Sequence, residues 1–382
     1  MPNGYRGPRH HERLESPMPA RWQTVAVLTC SVVLLAGCSG GTDDATDGGS
    51  TATGEPSSGS TSQSTEPSTQ SPSPEVTEEP SVPPAPPISV LGLAQERHRG
   101  DRLRLGAVRE ETAAYTSYDV TYRSRSTTPR GEESYTISGV LNVPRGRGPF
   151  PGVVLAHGYI DPAFYERGQG MTRERGYLAS RGYIALHVDY RNHAESDDDP
   201  RFQTRMRLGY TADVLNAVKA LRASRDVPVA DDRIALFGRS MGGGVILKAL
   251  VAEPGLVQAA APWASVSSLE ADNYRQFIQP DPEDSGLRDQ LARLHGTPQE
   301  NPEFWRQNSS RPYFDRITEP VLMVHGRADD TCPPPWATAT HRALVKAGVD
   351  SRLAWYDDGH AFGPAFNAAM DRTIAFFDQK LR

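Results

Sequence analysis

Short apolar runs alternate with amphipathic segments from Pro149 onward, and this alternation limits the possible folds more than any other feature of the sequence. Five runs are almost continuously apolar, as in strands covered on both faces: GVVLAHG, GYIALHVDY, RIALFG, LVQAAAPW and PVLMVHG. Apolar residues three or four positions apart predict helices over residues 165–181, 205–224, 241–252, 335–347 and 365–381. Strands and helices that take turns predict an α/β fold, with a mostly parallel sheet and helices on both faces.

The beginning of this zone has a different pattern. Residues 117–124 and 134–143 alternate polar and apolar side chains, and Pro129-Arg130-Gly131 lies between them, which predicts two antiparallel strands. Ligands of parallel sheets bind beyond the carboxyl ends of the strands. Functional side chains should therefore follow the apolar runs directly.

The sequence G-R-S-M-G at 238–242 follows one of these runs and opens a predicted helix. This is the context of a nucleophile elbow, in which glycines permit a tight turn that lifts a serine hydroxyl above the sheet. A chance G-x-S-x-G would seldom lie between a strand and a helix. We therefore predict that Ser240 is a nucleophile.

A serine hydroxyl needs a base to take its proton, and the base needs a third group to orient it. In this architecture the acid precedes the histidine along the chain. Asp329 and Asp330 follow the run PVLMVHG, and His360 follows the run LAWY. Either aspartate can be the acid on this reasoning, and His360 is the predicted base.

The oxyanion of a tetrahedral intermediate needs hydrogen-bond donors. One is expected from the backbone N–H of Met241, directly after the nucleophile. The other is expected from the loop after an early strand, and the sequence VVLAHGYID offers the backbone of Tyr159.

Residues 118–382 resemble the α/β-hydrolase superfamily, and their second half is most similar to the catalytic domain of the prolyl oligopeptidase family of serine peptidases. Three stretches carry the resemblance: GRSMGG, NPEFWRQNSSRPYFDRITEPVLMVHGRADDTCPP and KAGVDSRLAWYDDGHAF. It implies Ser240 as nucleophile, Asp329 rather than Asp330 as acid, His360 as base, and Tyr159 and Met241 at the oxyanion hole.

The chain departs from that pattern in three places, one of which is a slightly irregular pattern near residues 309–312. Family peptidases usually carry a large β-propeller before the hydrolase domain, and only about sixty residues are available for one here. The sequence RNHAESDDD at 191–199 replaces the R-G-x-G-x-S common in the superfamily. A second resemblance, to dienelactone-hydrolase-like, polyester-cleaving and lipid esterases, is limited to residues 240–244 and the pair Pro262-Trp263.

Residues 265–312 form an insertion between two predicted strands, so they must lie over the carboxyl edge of the sheet. We predict a small helical cover over the substrate pocket. Five aromatic residues in or beside it are candidates either for lining that pocket or for packing the cover on the body: Trp263, Tyr274, Phe277, Phe304 and Trp305.

The N-terminal residues 1–38 predict a secretory signal. The apolar run VAVLTCSVVLLAGC is too short to span a bilayer and ends in L-A-G-C, which resembles a bacterial lipobox. Cys38 is therefore expected to be lipidated and to anchor an extracytoplasmic protein to the cell membrane. Met18 and Met1 are both candidate start residues, because the signal has normal proportions when counted from Met18.

Residues 39–87 are rich in Ser, Thr, Pro and Gly, with eight acids and no Lys or Arg, so a disordered tether of roughly 40 Å is expected. Without those eight acids the formal charge of −6 becomes about +2, which argues against nucleic acid as a partner. No close His/Cys cluster indicates a metal, so no cofactor is expected for the domain over residues 88–382.

These features predict a membrane-tethered serine hydrolase that forms an acyl-enzyme on small esters, in the manner of a carboxylesterase. A peptidase acting on short peptides is the alternative within the same chemistry. A binding protein that keeps the fold without turnover is the alternative of another class.

Overall fold

A computed structural model describes residues 84–381 of the chain. The predicted signal, Cys38 and the tether as far as residue 83 lie outside the described residues. Between residues 84 and 381 no helix is both long and apolar enough to cross a membrane.

Ten strands of the described residues form one sheet. They are β1 Arg97–His98, β2 Asp101–Glu111, β3 Tyr115–Thr128, β4 Gly131–Pro144, β5 Phe150–Ala156, β6 Ile184–Val188, β7 Val229–Arg239, β8 Ala259–Trp263, β9 Val321–Gly326 and β10 Ser351–Tyr356. The order across the sheet is β1-β3-β4-β6-β5-β7-β8-β9-β10, with β2 also paired to β3. Strands β5 to β10 are mutually parallel, and β1 to β4 form an antiparallel extension that joins the sheet through β4 and β6.

Helices cover both faces of the sheet. The α-helices are α1 Val90–Gln95, α2 Thr172–Ala179, α3 Leu208–Arg222, α4 Met241–Ala252, α5 Glu270–Asn273, α6 Ser285–His295, α7 Pro302–Gln307, α8 Pro334–Lys346 and α9 Phe366–Lys380. Apolar residues of α3, α4 and α8 belong to one buried cluster, and those of α2 and α9 belong to another. The predicted α/β-hydrolase fold is confirmed.

The position of β5 between two helical layers explains why its sequence is apolar at consecutive positions. Val154 and Ala156 pack in the first cluster, whereas Val153 and Leu155 pack in the second. Successive side chains of a strand point to opposite faces, so a strand between two helical layers needs apolar residues on both sides.

The helix predicted from residue 165 begins only at Thr172, so the first part of that prediction is wrong. Gly168 and Gly170 have φ angles of 76° and 91°, which a right-handed helix excludes. The apolar residues of this segment instead lie in an irregular loop, in which Tyr165 and Met171 are buried.

The parallel strands bring the predicted site residues to one edge of the sheet. Tyr159 follows β5, Ser240 follows β7, Asp329 follows β9 and His360 follows β10. Because these four strands are parallel, their carboxyl ends meet at the same edge.

From two buried histidines we predict that low pH decreases the free energy of unfolding. Burial lowers the pKa of His98 to about 4 and that of His157 to about 3, below the ordinary value of 6.5. As the pH falls below 6.5, the unfolded chain therefore takes up protons that the folded chain does not, and the free energy of unfolding decreases toward pH 4. We expect a loss on the order of 3 kcal/mol from each ring, measurable by urea unfolding at a series of pH values.

The matched variant is His98→Gln, which should show a shallower decrease over the same interval. Glu96 acts in the opposite direction, because burial raises the pKa of its carboxyl to about 7 and its contribution is lost as the pH rises through 7. An equal slope for His98→Gln and the natural protein would contradict the assignment to His98.

Candidate active site

Ser240 lies at a strained turn between β7 and α4. Its backbone has φ 58° and ψ −121°, a conformation that residues with a side chain seldom adopt. A Cβ atom at Gly242 would overlap the carbonyl of Ala156, and one at Gly238 would overlap the carbonyl of Gly242. The two glycines therefore allow the helix to start directly against the end of β5.

The loop after β5 passes beside Ser240. A Cβ atom at Gly158 would lie 3.1 Å from the Cβ of Ser240, so this position leaves little room for a side chain. The next residue, Tyr159, and the first residue of α4, Met241, line the same cavity as Ser240. The N–H groups in the first turn of a helix have no partner within the helix, so that of Met241 is available to a ligand.

Asp329 and His360 form a close pair. His360 Nδ1 lies 2.9 Å from Oδ2 and 3.0 Å from Oδ1 of Asp329. Asp330 is exposed and contacts the hydroxyl of Thr331 instead. Of the two aspartates that the sequence left open, the structure brings Asp329 to the histidine.

The carboxylate of Asp329 is buried and held by its own turn. Its Oδ1 accepts backbone N–H bonds from Thr331 at 3.0 Å and Cys332 at 2.8 Å. His325 Nε2 lies 3.4 Å from Oδ2 and 2.9 Å from the carbonyl of Cys332. These contacts fix the carboxylate, so its orientation determines that of the His360 ring.

The loop that carries His360 is braced by residues that the sequence analysis did not identify. Arg173 donates to the carbonyls of Ala361 and Phe362 at 2.7 and 2.9 Å, and Arg239 donates to Ala361 and to Gly170. The one local signal is Asp358, whose carboxylate accepts N–H bonds from residues 359, 363 and 365.

Cys332 is a free, buried thiol beside Ser240. Burial raises its pKa, and the charge of Asp329 acts in the same direction, while a hydrogen bond with Ser240 opposes them. The thiol therefore stays protonated at neutral pH and is a poor competitor for the nucleophile's role, because the reactive form is the thiolate.

A cavity of about 450 Å³ extends from Ser240 and His360 beneath the 265–312 segment. Tyr274, Phe277 and Trp305 line it. Trp263 is not a lining residue, because it lies in β8 and its ring packs against Phe237 and Phe362 in the second buried cluster. Phe304 stacks on His295 and packs against the edge of the core, so three of the five aromatic candidates face the cavity.

The remaining histidines near the site have other partners. His157 is buried between two carbonyls, those of Gly158 at 2.6 Å and Asp189 at 3.1 Å. His341 contacts the Ser351 hydroxyl, and His295 contacts the Thr204 carbonyl. These histidines do not line the cavity.

Comparison with known proteins identifies relatives of this chain. The model of the prolyl oligopeptidase family matches residues 170–382, which is more than half of the chain and includes Ser240, Asp329 and His360. Dipeptidyl peptidase 4 of Felis catus is 31% identical over 209 residues, which cover 53% of this chain and 26% of that protein. This chain thus matches about a quarter of the length of that relative.

Esterases also resemble the chain. Esterase EstD of Thermotoga maritima is 26% identical over 223 residues, covering 52% of each protein. The structure of acetyl xylan esterase 1 from Thermoanaerobacterium sp. JW/SL YS485 superposes with a TM-score of 0.56 over 74% of this chain and 89% of that one. At 19% identity this likeness concerns the fold alone.

Proposed function

Because the chain belongs to the prolyl oligopeptidase family of serine hydrolases, we propose that it cleaves small esters through an acyl-enzyme, with Ser240, His360 and Asp329 as the catalytic triad. The observation that carries the proposal is the contact between buried Asp329 and half-buried His360 at the cavity that Ser240 lines from its strained turn.

The proposed reaction begins with attack of Ser240 Oγ on the ester carbonyl. His360 Nε2, the ring nitrogen turned away from Asp329, takes the hydroxyl proton and then delivers it to the leaving alcohol. Asp329 keeps the proton on Nδ1 and stabilises the imidazolium that forms. Water then attacks the acyl carbonyl and gives its proton to His360 Nε2, which returns the proton to Ser240 Oγ as the acid leaves.

The oxyanion of each tetrahedral intermediate would be stabilised by the backbone N–H groups of Met241 and Tyr159. A preformed pair of donors stabilises the transition state because it needs no reorganisation as the charge develops. The close approach of Gly158 to Ser240 supports this role for the loop.

The size and the covering of the cavity favour small esters over long peptides as substrates. The 265–312 segment covers it, and its volume of about 450 Å³ lies within the range of small-molecule sites. The 31% identity to a dipeptidyl peptidase supports the alternative, a peptidase for short peptides.

Fluorophosphonate labelling tests the proposal. We expect the purified protein to incorporate the label on Ser240, and a Ser240→Ala variant to incorporate none, because the probe reacts only with an activated serine. Hydrolysis of p-nitrophenyl esters and of an aminoacyl anilide would then measure the preference between esters and peptides. Absence of labelling in a folded protein would favour a binding function and overturn the proposal.

We also propose that lipidated Cys38 tethers the protein to the outer face of the cell membrane through the acidic segment 39–87. The support is the L-A-G-C sequence after the apolar run. Mass spectrometry of the mature N-terminal peptide should find a diacylglyceryl group on Cys38. An unmodified Cys38, or a mature chain that begins elsewhere, would refute the anchor.

A further inference from the structure

The cavity follows helix α4 away from the nucleophile. Met241, Gly244, Val245 and Lys248 line it, and their spacing of three and four residues places them on one face of the helix. At 1.5 Å per residue, Lys248 lies about 10 Å farther along the axis than Met241. The far end of the cavity is therefore well separated from Ser240.

The opposite wall is the beginning of the cover and runs in the other direction. Glu270 pairs with Lys248 at the far end, with Glu270 Oε1 2.7 Å from Lys248 Nζ. Phe277, two turns later, contacts the ring of Trp336, close to the loop that carries Asp329. The ion pair thus lies at the end of the cavity remote from Asp329, and Val245, Tyr274 and Phe277 are among the apolar side chains that line the rest.

Two further polar atoms of the cavity wall have no hydrogen-bond partner among residues 84–381. They are Oγ1 of Thr211, a fully buried residue of α3, and Oδ1 of Asn273, one turn after Glu270. An unsatisfied buried polar group costs roughly 1–3 kcal/mol. A plain alkyl chain in the cavity would leave both atoms unsatisfied.

The ion pair alone does not account for this arrangement. The ion pair could simply hold the cover against α4. That role would not explain why the polar atoms of Thr211 and Asn273 have no partner in the cavity wall. Lys248 donates, Asn273 Oδ1 accepts, and the Thr211 hydroxyl does either. A bound carboxylate would be repelled by Glu270, and a bound ammonium by Lys248, so a neutral group that both donates and accepts is the best match.

We infer that the far end of the cavity is a subsite for a hydroxyl group on the acyl chain of the substrate, some six to ten carbons from the scissile carbonyl. This inference rests on the proposed function, because the acyl chain is the part that stays on Ser240 in the acyl-enzyme. Lys248, Glu270, Thr211 and Asn273 are the specificity-determining residues.

The test compares p-nitrophenyl esters of ω-hydroxy acids with plain esters of equal chain length. We expect the hydroxylated ester of matching length to have a kcat/KM about tenfold higher, the worth of one or two hydrogen bonds. A purely apolar cavity would prefer the plain ester, since hydroxyl burial without a partner is unfavourable. Thr211→Val and the double variant Lys248→Met/Glu270→Leu should abolish the preference.

The matched control is Lys219→Met/Glu253→Leu, which removes another Lys–Glu pair of 2.7 Å outside the cavity and should retain the preference. Calorimetric binding of the same esters to Ser240→Ala gives a readout independent of turnover. Tighter binding of the plain ester at every length, or a preference that survives both cavity variants, would overturn the subsite. Failed fluorophosphonate labelling would instead count against the proposed function.

Discussion

An Asp329→Asn substitution should lower kcat for a short p-nitrophenyl ester by about four orders of magnitude. Asparagine has nearly the shape of aspartate, but its amide NH₂ group would donate to His360 Nδ1 and stabilise the wrong tautomer. The proton would then reside on Nε2, where the proposed base must accept one from Ser240. The charge that stabilises the imidazolium would also be lost.

Asp330→Asn is the matched control, because Asp330 is adjacent in sequence, exposed and without contact to His360. We expect its kcat to stay within about twofold of the natural protein, as for most surface changes. Thermal unfolding should confirm that Asp329→Asn remains folded, since the amide oxygen can still accept the N–H bonds of Thr331 and Cys332. A large loss in Asp330→Asn, or a small one in Asp329→Asn, would refute the assignment.

The sequence predicted the order of elements well because a strand covered on both faces must be apolar at successive positions. Helix α4 was predicted over residues 241–252 and occupies Met241–Ala252. Strand β2 was missed, since most of its side chains are exposed and show no alternation. Its place is determined by pairing with β3, which is a tertiary contact.

The residues of the candidate site also divide into those that the local sequence reveals and those that only tertiary contacts reveal. Ser240, His360 and the two aspartates could be identified because each follows a strand whose pattern is visible locally. Arg173 could not, because its partners Ala361 and Phe362 lie almost 190 residues away along the chain. Periodicity carries no information about such contacts.

The cover was the hardest part to predict. Its aromatic residues are equally compatible with packing and with lining a pocket, and the sequence gives no orientation for them. Trp263, just before the cover, is a buried residue of β8 whose indole N–H donates to the Thr373 hydroxyl at 3.2 Å. That contact depends on the packing of α9 against the sheet, which is absent from the local sequence.

Asp213→Asn should lower the free energy of unfolding by roughly 3–5 kcal/mol, because it leaves the buried charge of Arg191 without its main partner. Asp213 accepts from Arg191 Nη2 at 2.9 Å, from Nε at 3.0 Å and from its backbone N–H at 3.0 Å. Burial lowers the pKa of Arg191, but the charge and hydrogen bonds of Asp213, together with Tyr135 and Asp199, raise it overall, so the guanidinium stays charged. Urea unfolding of the purified variant measures the loss.

Asp119→Asn is the control for an ion pair of the same length at the surface. It removes a contact of 2.9 Å with Arg109 and should cost less than about 1 kcal/mol.

A second control tests whether the buried charge causes the loss. It is the double variant Arg191→Met/Asp213→Leu, which removes both charges. If the loss in Asp213→Asn comes from the buried charge of Arg191, which then keeps only Asp199 at 3.3 Å as a partner, the double variant should recover a large part of it. Equal losses in the two variants would instead assign the effect to the loop that Arg191 begins, where His193 contacts the carbonyl of Ile160 beside Tyr159. In that case stability and the proposed oxyanion loop would depend on the same contacts, and kcat would decrease together with the free energy of unfolding.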